Sequence, residues 1–181
     1  MVRVVDDYGN VYGTYTGGVE ISTLSPKVTI EHQEYVLCFC QTDWEDIVLI
    51  QKKRRDWQKG RLNLPGGHVE LGEDCVKAAR RELKEETGLN CVAFSHEVGR
   101  IVASDYIVHI IQTNVKFKSI IQKLTDEEVI VADWQAVLDD ERLIPNLKII
   151  IPLCMARVEN WTLIPLDDNP LSENWEISLN D

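Results

Sequence analysis

Positive charge is scarce in this chain: 19 lysines and arginines stand against 30 aspartates and glutamates, a formal charge of −11 with a pI near 4.8. Such a surface repels nucleic acid and anionic lipid, which disfavours a DNA-binding or membrane-surface role. No apolar run approaches the roughly 18 residues needed to span a bilayer. The start, MVRVVDDYGNVYG, has acidic residues and glycine where a secretory leader would have a basic stretch and an apolar run. The five cysteines (Cys38, Cys40, Cys75, Cys91 and Cys154) are odd in number and scattered, with no CxxC pair and no cysteine/histidine spacing of a zinc finger. No internal repeat and no DNA-binding module is recognisable. These absences point to a soluble protein of the reducing cytoplasm, with no DNA and no membrane among its partners.

The 181 residues, 44% of them hydrophobic, suffice for one core and are too few for two independent enzymatic units, so residues 1–181 read as a single domain. Residues 1–30, punctuated by glycines and Pro26, resemble a short hairpin followed by a loop. The β-rich runs 34–41 (EYVLCFCQ) and 47–51 (IVLIQ) predict two adjacent strands joined by a tight turn. A basic stretch follows, QKKRRDWQKGR, and then 63–67 (NLPGG) breaks the chain before a helical pattern over 73–87 that Gly88 terminates. Residues 107–113 and 129–132 predict further strands, with 123–128 (KLTDEE) as a loop before the second. Pro145 suits the first turn of a helix running towards Glu159, which Pro152 should kink. Residues 160–181 are acidic and proline-containing, and predict a surface-draped tail that docks through Trp161 and Trp175.

The helix pattern carries the chemistry. At about 100° per residue, Glu82, Glu85 and Glu86 share one stripe, while Val76, Ala79 and Leu83 form a separate apolar stripe. Carboxylates at i, i+3 and i+4 repel one another, and a cation relieves the conflict. Hard oxygen donors suit Mg²⁺, an ion commonly shared between carboxylates and substrate phosphates. Taken alone, the run is better explained as a solvated, charged helix face, the commoner origin of such runs.

The wider segment 67–89, GHVELGEDCVKAARRELKEETGL, decides between the two. From Gly67, five residues lead to Glu73 and seven more to Arg81; Glu82, Leu83, Glu85, Glu86, Gly88 and Leu89 follow. This resembles the Nudix box at every specified position, a far more specific pattern than a lone glycine motif. The resemblance is tight over the box and loose over residues 34–158. It implies an α/β fold, the α/β/α sandwich with a mixed β-sheet of the Nudix hydrolases, in which the box forms a loop, a helix and a second loop.

By the same resemblance, Glu82, Glu85 and Glu86 bind Mg²⁺, or Mn²⁺ in its place, with the Gly67 carbonyl as an additional ligand. Glu73 and Arg81 are similar to the pair that fixes the loop against the helix. The implied reaction is hydrolysis of a diphosphate linkage, with Glu85 the first candidate for general base, Glu82 able to serve both roles, and Glu127 or Glu128 on a later loop as rivals. The basic island of Lys52, Lys53, Arg54, Arg55, Lys59 and Arg61 offers phosphate contacts, foremost through Arg54, Arg55 and Arg61, although a solvated charge run explains it as well. Trp57, Tyr106 and Trp134 could stack a nucleobase or simply be half-buried. Cys75 falls towards the carboxylate face and reads as an ordinary reduced thiol.

Tyr106 sits where the dinucleoside-polyphosphate branch of the family carries a similar residue, and the proline of many ADP-ribose hydrolases is absent. The expected substrate is therefore a nucleoside diphosphate derivative, with nucleoside or dinucleoside polyphosphates ahead of ADP-ribose and other nucleotide sugars. An RNA 5′-end hydrolase and a non-catalytic nucleotide-binding or regulatory module are the remaining alternatives. Either a monomer or a homodimer accommodates all of this.

Overall fold

A computed structural model describes residues 2–5, 11–15, 32–53, 57–91, 95–116 and 126–179. Strands β1 (Val2–Val5) and β2 (Val11–Tyr15) pair antiparallel as a two-stranded sheet. The main sheet has nine strands and is built on the parallel pair β3 (Gln33–Thr42) and β8 (Tyr106–Val115), whose register runs unbroken from Gln33↔Tyr106 to Thr42↔Val115. Beyond β8 come the antiparallel β7 (His96–Val102), then β10 (Trp161–Pro165), parallel to β7, and β11 (Trp175–Leu179) at the edge.

On its other side β3 forks. Its first half pairs with β6 (Gly66–His68), and its far end turns into β4 (Ile47–Gln51) through the pair Gln41↔Ile47. Strand β4 in turn carries β9 (Glu128–Ala132) and β5 (Leu62–Asn63).

Alternation along β3 sends its side chains to two separate cores, because successive residues of a strand face opposite ways. Phe39 packs with Ile47, Leu49 and Ile110 beneath α2 (Trp134–Leu138) and α3 (Leu147–Met155). Val36, Cys38 and Cys40 pack with Val48 beneath Ala78, Ala79 and Leu83 of α1 (Cys75–Thr87). Helices thus cover both faces of a mixed sheet, the α/β/α arrangement that the box implied. Buried on both faces, the central strands need apolar residues at consecutive positions, which is why 34–41 and 47–51 read as near-continuous apolar runs. All five cysteines are free thiols. Among the described residues no helix is long and apolar enough to cross a membrane.

Helix α1 starts later than its pattern suggests. The Asp74 side chain accepts hydrogen bonds from the Val76 and Lys77 amides, so Asp74 is the cap and Glu73 lies in the loop. At the other end Gly88 adopts the left-handed conformation, with φ of 73°, and its N–H bonds to the Lys84 carbonyl. Helix α3 begins at Leu147 rather than at Pro145 and ends at Met155, so it stops within a turn of Pro152 instead of continuing to Glu159. Proline removes one backbone donor and crowds the preceding turn, which favours termination there.

The larger correction concerns residues 160–181. They supply β10 and β11 of the main sheet and are not a draped tail. The anchor is Trp161, 1% exposed, whose indole lies over Gly99 of β7 in space that a Cβ at Gly99 would occupy. An acidic, proline-bearing composition hid two short strands, of which β10 finds its parallel partner β7 far back in the sequence and β11 pairs with β10. Trp161→Ala should therefore lower the unfolding free energy by about 3–5 kcal/mol, the cost of an emptied aromatic site in a core; urea denaturation measures it, and a loss under about 1 kcal/mol would indicate a segment merely resting on the surface.

Candidate active site

The site grows out of the turn between β6 and α1. A Cβ at Gly66 would run into the Val36 carbonyl, and one at Gly67 would overlap the Glu82 carboxylate. Only bare backbone fits at either position, and the consequence at Gly67 is that main chain and a helix carboxylate share one small space.

Arg81 holds this arrangement in place. Its guanidinium grips Glu73 in a fork, Nε to Oε1 at 3.1 Å and Nη2 to Oε2 at 2.9 Å, and Nη2 also donates to the His68 carbonyl at 3.0 Å. From its other arm, Nη1 reaches Glu82 Oε1 at 2.9 Å and Glu85 Oε2 at 3.5 Å. The hydrogen bonds from Arg81 hold the Glu73 carboxyl below its ordinary value, and Glu73 in turn keeps the guanidinium firmly charged.

Glu86 sits deeper. Its Oε1 accepts from Lys52 Nζ at 2.7 Å and its Oε2 from the Gly66 amide at 2.8 Å. Burial still pushes the carboxyl up to about 7, against the pull of Lys52 and the Gly66 N–H and with the nearby Glu127 adding to the rise. The Lys52 ammonium also pairs with Glu127 Oε2 at 3.3 Å. Glu82, Glu85, Glu86 and Glu127 therefore gather around Lys52, Arg81 and the Gly66–Gly67 backbone. Glu85 is the most open of the four, 56% exposed, and among the described residues its one contact is the long one to Arg81.

This donor set fits a hard divalent cation. Its donors are carboxylate and backbone oxygens, and Glu86 carries a charge that burial penalises and a cation would stabilise. Glu82, Glu85 and Glu86, with the Gly67 carbonyl, are the residues that would hold it.

The remaining sequence candidates separate. Of the acidic loop pair, Glu127 faces the cluster through Lys52, whereas Glu128 is exposed on β9 opposite Gln51. Tyr106 lines a cleft of about 960 Å³ that also takes in Lys52, Gly66 and Gly67. It stands edge-on to Tyr35, with ring centroids 6.4 Å apart, and burial raises its phenol above the ordinary value. Trp57 is on the same cleft. Trp134 does not line it: it opens α2 behind its cap Asp133 and packs half-buried against the core. Arg61 does not line the cleft either; its main chain is tied to Lys52 and Gln58. Arg54 and Arg55 lie outside the described residues.

Missed in the sequence were Tyr35 and the segment 164–170, which brings Asp167, Asp168 and Asn169 to the cleft, along with Trp175. Their only signal was the pair of tryptophans in the presumed tail. Lys52 was visible solely as one member of a charge run.

Comparison with known proteins agrees with this geometry. A family model described as the NUDIX domain matches residues 31–154. The chain is 23% identical over 157 residues to an ADP-ribose pyrophosphatase of Bacillus subtilis, covering 84% of this chain and 78% of that one. It is 30% identical over 92 residues to a methanol dehydrogenase activator of Bacillus methanolicus, a match spanning 48% of each, so the chain spans about half of that relative's length. Among solved structures, a MutT protein from Bacillus halodurans superposes with a TM-score of 0.61 at 18% identity, over 80% of this chain and 97% of that one, which is a likeness of fold.

The position of Glu86 generates a pH test. Its folded carboxyl titrates above the ordinary value of 4.5, so its contribution to stability is fully present below about pH 4.5 and is lost as pH rises through about 7. The melting temperature of the metal-free protein should fall across that window, and Glu86→Gln should flatten the fall; calorimetry at stepped pH reads both, and an unchanged slope in the variant would show that other groups set it.

Proposed function

Because the chain belongs to the Nudix hydrolase family, we propose that it is a Mg²⁺-dependent pyrophosphohydrolase that cleaves the diphosphate linkage of a nucleoside diphosphate derivative, nucleoside or dinucleoside polyphosphates foremost. The observation that carries this reading is the continuity of the carboxylate cluster with an aromatic-walled cleft, joined at Lys52, Gly66 and Gly67. A bound divalent ion supplies charge neutralisation of the diphosphate and a water of lowered pKa.

The chain's own residues account for the rest. Lys52 presents an ammonium at the floor of the cleft in a strongly acidic protein, so anionic phosphoryl oxygens are drawn to the point where the carboxylates converge. Arg81, engaged with Glu73, Glu82 and the His68 carbonyl, keeps the loop and the helix at fixed separation. Glu85, the least engaged carboxylate, accepts the proton of the attacking water; the new P–O bond forms as the anhydride P–O bond breaks, and the leaving phosphate ester takes the electron pair. Glu127 is the rival base, held on Lys52. Tyr106 and Trp57 offer flat apolar walls for a nucleoside moiety.

ADP-ribose is the second reading, favoured by the name of the Bacillus subtilis relative. A panel of nucleoside triphosphates, dinucleoside polyphosphates, ADP-ribose and nucleotide sugars, incubated with Mg²⁺ in labelled water, ranks these substrates and shows which phosphorus gains the oxygen. No turnover on any of them removes the substrate class.

On the best substrate, Glu86→Gln should lower kcat by at least about 10²-fold, as expected for lost electrostatic assistance. Glu85→Gln should exceed Glu127→Gln in its loss, and Glu128→Gln should stay within about twofold of wild type because that side chain points away from the cluster. Near-normal turnover of Glu86→Gln at unchanged Mg²⁺ dependence refutes the metal assignment.

A further inference from the structure

At the opposite end of α1 from Glu86, three side chains of unlike chemistry converge: Glu34 on β3, Cys75 at the first position of the helix, and His109 on β8. A carboxylate oxygen, the thiol sulfur and a ring nitrogen all lie within 4.8 Å of one another. Donors arranged tetrahedrally about zinc, each about 2.0–2.3 Å from the ion, stand roughly 3.3–3.8 Å apart, so side-chain shifts of about an ångström close such a shell.

A second observation comes from His109 itself. Its side chain is only 10% exposed, and Nε2 makes no hydrogen bond among the described residues. Buried imidazoles ordinarily satisfy both nitrogens, so Nε2 is left with a coordination position that no described residue fills. Nδ1 does face a carboxylate, Glu97 Oε2 at 3.2 Å, and Glu97 is itself steadied by Arg100 at 2.8 Å. A carboxylate on one ring nitrogen, with the other left for the ion, is the arrangement that orients metal-binding imidazoles.

We propose that Glu34, Cys75 and His109 bind one zinc-class divalent ion, with Glu97 orienting the His109 ring and a fourth coordination position left to water. A mixed oxygen, sulfur and nitrogen set selects a borderline ion such as Zn²⁺ and discriminates against Mg²⁺, the reverse of the all-oxygen cluster at Glu82, Glu85 and Glu86. Cys75 and Glu82 are seven residues apart, about 10 Å along the helix axis, so the two ions occupy separate sites. On binding, the Cys75 thiol gives its proton to solvent and the thiolate takes the metal. The bound ion ties the first residue of α1 to β3 and β8. Because the Glu34 carbonyl already accepts from the Val69 amide at 3.0 Å, the loop that carries Glu73 is then fastened at both ends.

The test uses the full chain in saturating Mg²⁺, which occupies hard carboxylate sites, with Zn²⁺ titrated against a chromophoric chelator and Co²⁺ as the spectroscopic probe. Expected are one equivalent of Zn²⁺ bound, a thiolate-to-cobalt charge-transfer band, and a raised melting temperature with Zn²⁺. Cys75→Ser should abolish the band and weaken Zn²⁺ binding at least about 10-fold, and Glu97→Gln should weaken it about 10-fold while leaving the band in place. His109→Gln should weaken it comparably; should that buried substitution fail to fold, Cys75→Ser and Glu34→Gln, at more open positions, decide the matter. Failure to bind Zn²⁺ in the presence of Mg²⁺, or undiminished binding in both Cys75→Ser and Glu34→Gln, overturns the proposal.

Discussion

The Arg81 guanidinium is the joint on which the rest of the site depends. Five donors in a rigid plane let it meet the Glu73 carboxylate in a fork, the His68 carbonyl from the loop, and the Glu82 and Glu85 carboxylates from its own helix. Without a fixed cation at that point, three helix carboxylates and a loop glutamate would repel one another, and the β6 backbone at Gly67 would have no reason to stay close to Glu82. A lysine could neutralise the charge but could not hold loop and helix at a set angle, because its single ammonium lacks the planar fork. The geometry is therefore as much a matter of donor directions as of net charge.

Against that frame the site is electrostatically divided. Arg81 serves the outer carboxylates, while Glu86 is left to Lys52, a residue 34 positions away in sequence, and to one backbone amide. Burial overrides both of these partners and keeps its carboxyl high. A carboxylate in this position is costly to keep charged without a cation, and Lys52, which pairs with it, also lines the cleft. The basic run around it looked like diffuse surface charge; folding places one of its members at the centre of an acidic cluster.

Helix α1 also joins two chemically distinct ends of the molecule. Its stripe towards the sheet begins at Cys75 and ends at Glu86, so one rigid element presents a thiol near His109 and hard oxygens near Gly67. Apolar packing of Ala78, Ala79 and Leu83 against β3 and β8 keeps the helix from rotating. A displacement at one end must be carried by the whole helix, which links the proposed zinc-class ion to the placement of the carboxylates without any contact between the two.

The sequence by itself determined whatever is local. The box lies in one contiguous stretch, so its spacing marked the break, the helix and the carboxylate stripe, its resemblance to the Nudix box implied the pairing of Glu73 with Arg81, and the apolar runs 34–41 and 47–51 marked the central strands. Only the tertiary structure decided what depends on distant partners. It set Glu127, not Glu128, against Lys52, packed Trp134 half-buried against the core and left Tyr106 on the cleft. It also turned the acidic C-terminal stretch into the last two strands on one side of the main sheet, because Gly99 leaves room for Trp161. The physical reason is that helix and turn geometry is written in residues a few positions apart, whereas strand pairing and cleft walls are set by which remote surfaces bury one another.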